Sequence, residues 1–358
     1  MTTGALAAVP DCHVSTVPVS DGGDGLTEVM QVGLGGQRLE TTVAGPRRKP
    51  VRAPFCLIAA RRLAVVEMAT ASGLALLAKA QYDPMRTTTY GTGELIRAAI
   101  DHGARRIIVG IGGSATCEGG IGMAAALGFR FLDRDGVAVD PVGESLSRIA
   151  AIDRDNVDPR LSGVSISVAC DVVNPLTGSN GASQVYAPQK GATPAQVRQL
   201  DDGLANLARV IHHDLGIDIA HLAGAGAAGG LGGGLHAFLG GELKAGIDLV
   251  LDAVDFSERI RGTDLVMTAE GRIDAQTRFN KAPAGVARYA KAAGLPCVAL
   301  CGSIGSGVEC LHDIGIEAIF SICDGPLSLE MAMRDASALL SRCSTQVVRS
   351  FVAGRSRR

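Results

Sequence analysis

Residues 106–128 read RIIVGIGGSATCEGGIGMAAALG, and the fold of the chain turns on them. Ile107, Ile108, Val109 and Ile111 are bulky, β-branched and apolar, as a strand buried on both faces requires. The loop GGSATCEGG follows, and then a helix of small residues runs to Gly128, a residue suited to a left-handed stop. Strand, glycine-rich loop and helix together aim backbone N–H groups and the positive end of a helix dipole at an anion. Gly112 and Gly113 let the backbone approach a ligand closely, while Ser114 and Thr116 add hydroxyls for an anion or a metal ion. No Gly-Lys-Ser/Thr follows, so this is not a P-loop, and it is not a clean G-x-G-x-x-G either. Taken alone, the loop reads equally as a phosphate or carboxylate site and as a structural glycine turn.

The totals narrow the field. A chain of 358 residues suits one large or two medium domains. With 47% hydrophobic residues but only 3% aromatic ones and no Trp, the core is expected to be aliphatic. The 47 glycines follow no collagen-like period and gather in loops. A net charge of −2 argues against a nucleic-acid partner. The cysteines are nine, scattered and without a C-x-x-C pair, which reads as reduced core thiols. The first residues lack a basic leader region, and no apolar run of about 18 residues exists to span a membrane, so a cytoplasmic location is expected.

Other stretches carry chemistry. His13 to Val19 reads as a strand, followed by Asp21, two glycines, Asp24 and a helix from Leu26. The two acids suit a helix cap, or a Mg²⁺ or substrate-hydroxyl site. Glu67 stands in an apolar stretch and must be either paired or active. Arg86 and Thr87, Thr88 and Thr89 enter a helix, which makes a carboxylate or phosphate seat or merely a cap. Asp171 falls at the end of the strand Ser165 to Cys170, where ligands gather in α/β sheets. Lys190 puts a cation into a turn. Thr193-Pro-Ala-Gln196 opens a structural amphipathic helix with a capping box. Residues 223–234, with Gly226, Gly229 and Gly230, form either a hinge or a second phosphate loop. Glu270, Arg272 and Asp274 crowd one loop after a strand, and Lys281 opens the next helix. Residues 328–351 read as one last helix. Strands alternating with helices define an α/β protein with a mostly parallel sheet.

Taken together, these loops resemble the bacterial glycerate kinases of the D-glycerate 2-kinase type over nearly the whole chain. The resemblance rests on Val19-Ser-Asp-Gly-Gly-Asp-Gly25, Gly112-Gly-Ser-Ala-Thr-Cys-Glu-Gly-Gly120, Ala169-Cys-Asp-Val-Val-Asn-Pro-Leu176, Pro188-Gln-Lys-Gly-Ala192, Gly224-Ala-Gly-Ala-Ala-Gly-Gly-Leu231 and Glu270-Gly-Arg-Ile-Asp274. It implies two α/β domains, one of them flavodoxin-like, with the active site in the cleft between them. Residues 1–40 plus 260–358 are expected to form the flavodoxin-like domain and 41–259 the second. The chain departs from the family pattern in three places. The family's opening strand, loop and helix are expected to be missing, its usual Asn-Asp is Cys117-Glu118, and its Thr-Gly-Glu-Gly-Arg is Thr268-Ala269-Glu270-Gly271-Arg272.

The implied reaction moves the γ-phosphoryl group of ATP to D-glycerate with Mg²⁺. On that expectation Glu270 and Asp274 hold Mg²⁺, and Asp171 orients or deprotonates the attacking hydroxyl. Lys190, Arg272 and Lys281 screen phosphates, and Arg86 pairs with the glycerate carboxylate. The glycine loops and the segment holding Asp21 and Asp24 contact phosphate or substrate. A homodimer is a candidate assembly, with no nucleic-acid or membrane partner. Two rivals are a nicotinamide oxidoreductase with Asp133 on a ribose, about 20 residues past the loop, and a shortened binding protein without turnover. Phosphorylation at the 3-hydroxyl is the alternative regiochemistry.

Overall fold

The run at Arg106–Gly110 is a strand, and parallel strands flank it on both sides. The computed structural model describes residues 1–22 and 25–355 and divides into two units, Gly22–Leu249 and the segments Met1–Asp21 with Val250–Arg358.

The first unit carries β1 (Gln37–Ala44), β2 (Pro50–Ile58), β3 (Leu63–Glu67), β4 (Arg106–Gly110), β5 (Arg130–Leu132), β6 (Ala151–Asp153), β7 (Ser165–Ala169) and β8 (Glu242–Lys244). Six of them form one sheet in the order β1-β2-β3-β4-β7-β8, while β5 and β6 make a separate antiparallel ribbon. β1–β2 and β2–β3 pair antiparallel; β3–β4, β4–β7 and β7–β8 pair parallel. The central strands are buried along nearly their whole length, which is why their sequences are continuous apolar runs rather than alternating ones. In register, Glu67 faces Gly110, and Gly110 faces Ala169. The loops after β3, β4 and β7 therefore leave the sheet at one level, the edge at which α/β sheets bind ligands. Helices Tyr90–Asp101, Ile121–Ala126 and Leu231–Leu239 add Leu95, Ile96, Ile121, Leu231 and Leu235 to the aliphatic core.

In the other unit, β9 (Val266–Ile273), β10 (Cys297–Ile304) and β11 (Ile316–Ser321) form a parallel sheet ordered β11-β10-β9. Helix Thr2–Ala8, which no sequence signal announces, lies against helix Ala336–Arg355; the Thr345 hydroxyl donates to the Gly4 carbonyl at 3.1 Å. A side chain at Gly4 would strike the Ser341 carbonyl oxygen, with a Cβ only 2.2 Å away, so the two helices touch backbone to backbone.

Several expectations change. Residues 13–19 form no strand, because their β-branched pattern finds no ladder partner among the described residues. The run Glu270 to Ile273 is not a loop but the last half of β9, paired to β10 through Cys301, Ser303 and Ile304. The helix expected over 328–351 is two, Leu329–Arg334 and Ala336–Arg355, with Asp335 ending the first. Residues 223–234 are no hinge: Gly232, Gly233 and Gly234 lie inside helix Leu231–Leu239, buried.

Candidate active site

The loop after β4 is fastened on three sides. Leu74 donates its N–H to the Gly113 carbonyl at 2.8 Å, and Ala115 donates to the Ser72 carbonyl at 3.0 Å. Gly119 donates to the Gly229 carbonyl at 3.0 Å. From below, the Lys190 ammonium donates to Ser114 Oγ at 2.6 Å and to the Thr116 carbonyl at 2.7 Å. Lys190 is only 2% exposed. Burial penalises its charge and pulls its pKa down to about 8, against the opposing pull of Cys117 and Glu118. Gly112 and Gly113 stay exposed and Ser114 half-buried.

Glu118 answers the question of which anion the helix end attracts. Its carboxylate, 0% exposed, accepts N–H bonds from Thr89 at 2.7 Å, from Gly120, and from Gly122 at 3.3 Å, as well as the Thr89 hydroxyl. It thereby sits at the N-termini of both Ile121–Ala126 and Tyr90–Asp101, where unpaired N–H groups and the helix dipole favour a negative charge. Burial raises its pKa and those hydrogen bonds oppose the rise. Glu67 does the same for helix Leu26–Leu34, accepting from Thr27 N at 2.6 Å and Gly25 N at 3.2 Å. Of the two readings open for Glu67, the structure selects pairing. The only sequence signal for either role was an acid set among apolar or glycine residues.

Other expected site residues fall into three groups. Some turn inward. Thr87, Thr88 and Thr89 are fully buried, with the Thr87 hydroxyl on the Ala115 carbonyl at 2.8 Å. Gly226, Gly229 and Gly230 are buried too; a Cβ on Gly226 would lie 2.1 Å from the Pro175 oxygen and one on Gly229 2.0 Å from the Thr116 oxygen. The glycine-dense segment thus serves close backbone packing behind the loop. Thr116 Oγ1 is buried with no hydrogen-bond partner.

Others face outward in the same unit. Asp171, exposed two residues past the end of β7, accepts the Gly246 N–H at 3.0 Å, which fixes one carboxylate oxygen. Gly22, at φ +91°, lies close enough that a Cβ there would be 3.5 Å from the other. Arg86 is 63% exposed with a loose 3.5 Å contact to Glu144. Asp21, the last residue of the other unit's first segment, is exposed, and Asp24 lies outside the described residues. Asp133 follows the ribbon strand β5, not a strand of the large sheet. There it takes the Val137 N–H at 2.9 Å and Arg148 at 3.0 Å, with its pKa lowered first by the Val137 bond, so Asp133 does not stand at the end of the parallel strand beside β4, as the ribose-binding role would need.

The third group belongs to the other unit. Alternation along β9 turns Glu270, Arg272 and the following Asp274 to one face. Lys281 Nζ lies 3.2 Å from Glu270 Oε1, while Glu270 Oε2 is buried with no hydrogen-bond partner. Arg272 Nε meets Asp274 Oδ2 at 3.2 Å, and Asp274 Oδ1 caps the turn Ala275–Arg278 through the Gln276 N–H at 2.9 Å. No cluster of three His, Cys, Asp or Glu suited to a metal exists among the described residues.

A family model described as the glycerate kinase family matches residues 1–352. The chain is 45% identical to a glycerate kinase of Halalkalibacterium halodurans, over 96% of this chain and 90% of that one. It is 43% identical to a glycerate 2-kinase of Escherichia coli K12, over 96% and 91%. The crystal structure of a Salmonella typhimurium LT2 protein described as a glycerate kinase 2 matches 99% of this chain and 93% of its own, with a TM-score of 0.89 at 43% identity. The expectation of a missing opening lobe finds no support in the family match, which covers residues 1–352.

Proposed function

The chain belongs to the glycerate kinase family and is a phosphotransferase that uses ATP and an alcohol acceptor; on that premise we propose that it transfers the γ-phosphoryl group to the 2-hydroxyl of D-glycerate, giving 2-phosphoglycerate and ADP. The observation that carries the reading is the Asp171 carboxylate, held by Gly246 just beyond β7, in the unit whose neighbouring strand ends in the exposed Gly112 and Gly113. Phosphoryl transfer asks the protein for positioning, charge neutralisation and a group that orients the attacking hydroxyl. Asp171 takes the last role. The N–H groups of Gly112 and Gly113 and the Ser114 hydroxyl take anionic oxygens, and Arg86 pairs with the substrate carboxylate.

In the other unit Glu270 fits a divalent cation, because its buried and partnerless Oε2 lacks the hydrogen bond that such an atom normally has. Mg²⁺ needs only one or two carboxylates beside phosphates and water. When bound, it neutralises charge on the phosphate oxygens. Asp274, already committed to Arg272 and a cap, would help to hold it directly or through water, and Lys281 and Arg272 would screen phosphate charge. A cytoplasmic setting agrees with free thiols at every cysteine.

The experiment is ATP- and Mg²⁺-dependent phosphorylation of D-glycerate read through enolase alone. Signal without added phosphoglycerate mutase is the expected result; signal only with mutase moves the reaction to the 3-hydroxyl, and silence in both refutes the reading. Asp171→Asn is expected to lower kcat by about 10²-fold or more while both KM values hold. An unchanged kcat removes Asp171 from that role.

A further inference from the structure

We propose that Lys190 is a positioning residue that acts through Ser114, turning its hydroxyl proton outward to bind an anionic oxygen of a substrate. This rests on the reading of the 112–116 loop as a binding loop. A serine hydroxyl holds one proton and two lone pairs. The Lys190 ammonium occupies a lone pair of Ser114 Oγ at 2.6 Å, so the proton must point elsewhere, and it donates to no group among the described residues. The ammonium itself is sealed beneath the loop and cannot also serve as an open phosphate ligand. Its second bond, to the Thr116 carbonyl at 2.7 Å, fixes the backbone that carries Ser114. On the other side, Ser114 bridges to Gly73 and leaves its half-buried side chain next to the exposed Gly112 and Gly113. A donor hydroxyl, two exposed glycines and no carboxylate among the hydroxyl's partners suit a carboxylate or phosphate oxygen.

The test is a double-mutant cycle of Ser114→Ala and Lys190→Met, reading KM for ATP and for D-glycerate separately on protein shown to be folded by circular dichroism. Each single variant is expected to raise one of the two KM values by about tenfold or more, the worth of a hydrogen bond to a charged group. The substrate whose KM moves identifies phosphate or carboxylate as the ligand. In the Ser114→Ala background Lys190→Met is expected to add less than about threefold, since coupled residues are non-additive. Full additivity, or a Lys190→Met enzyme with both KM values intact, overturns the positioning role while the loop reading stands. Ser114→Ala without effect on either KM refutes the loop reading itself. If Lys190→Met is recovered unfolded, Lys190→Gln, which keeps an N–H donor in the buried slot, replaces it in the cycle.

Discussion

Two lysine–glutamate neighbourhoods invite comparison: Lys190 with Glu118 in one unit, Lys281 with Glu270 in the other. The first two residues are 2% and 0% exposed, and neither relies on the other for hydrogen bonds. Lys190 gives its protons to Ser114 and Thr116, and Glu118 takes N–H groups from two helix ends. Lys281 and Glu270 meet directly at 3.2 Å, with side chains 36% and 27% exposed, and one glutamate oxygen has no partner. The same residue types do opposite work. The buried charges are hydrogen-bonded and hold the loop in place, because an unpaired charge in the interior is prohibitive. A half-exposed pair is weak enough to exchange its partner for a phosphate or a cation.

The comparison can be broken most forcefully at Glu118. Glu118→Ala removes the anion from two helix N-termini and is expected to destabilise its unit by about 3 kcal/mol in urea unfolding. A loss below about 1 kcal/mol means the helix ends are satisfied otherwise.

Next comes the pH dependence of Lys190. Its folded pKa, about 8, lies below the ordinary lysine value, so between the two the unfolded chain binds more protons than the folded one. Stability therefore rises with pH across that window. Wild type is expected to gain up to about 1 kcal/mol per pH unit relative to Lys190→Met between about pH 8 and 10. Urea titrations of both proteins at several pH values measure the difference, and parallel curves would refute it. The groups that act on the ammonium are Cys117 and Glu118.

The smallest stability effect belongs to the exposed pair. Lys281→Ala is expected to change the unfolding free energy by no more than about 1 kcal/mol, yet to raise the Mg-ATP concentration needed for half-maximal rate. A large loss of stability with unchanged Mg-ATP dependence would make Lys281 structural and erase the contrast.

Much of the fold was readable because its signals are local. The apolar runs of β4 and β7 gave strands within a residue or two. The capping box at Thr193 and Gln196 forms both of its bonds at the start of helix Pro194–Leu215. Reading failed where a local pattern depends on a distant partner. Residues 13–19 are valine-rich like a strand but find no neighbour to pair with among the described residues, and Glu270 and Arg272 look like a loop until β10 pairs with them. The site divided the same way. The positions of Asp171 and the 112–116 loop at strand ends followed from sequence, whereas the inward turn of Thr87, Thr89, Gly226 and Gly229 did not.

Sequence alone determined the class of fold, the family and the set of charged and glycine residues that bear on phosphate chemistry. Periodicity, capping and motif order are written within a few residues of one another. Only the tertiary structure decided which charges are scaffold and which are open. Glu67 meets Thr27 across 40 residues of chain, and Lys190 meets Ser114 across 76. Burial is a property of such distant contacts, and burial decides whether a charge braces the loop or remains available to a substrate.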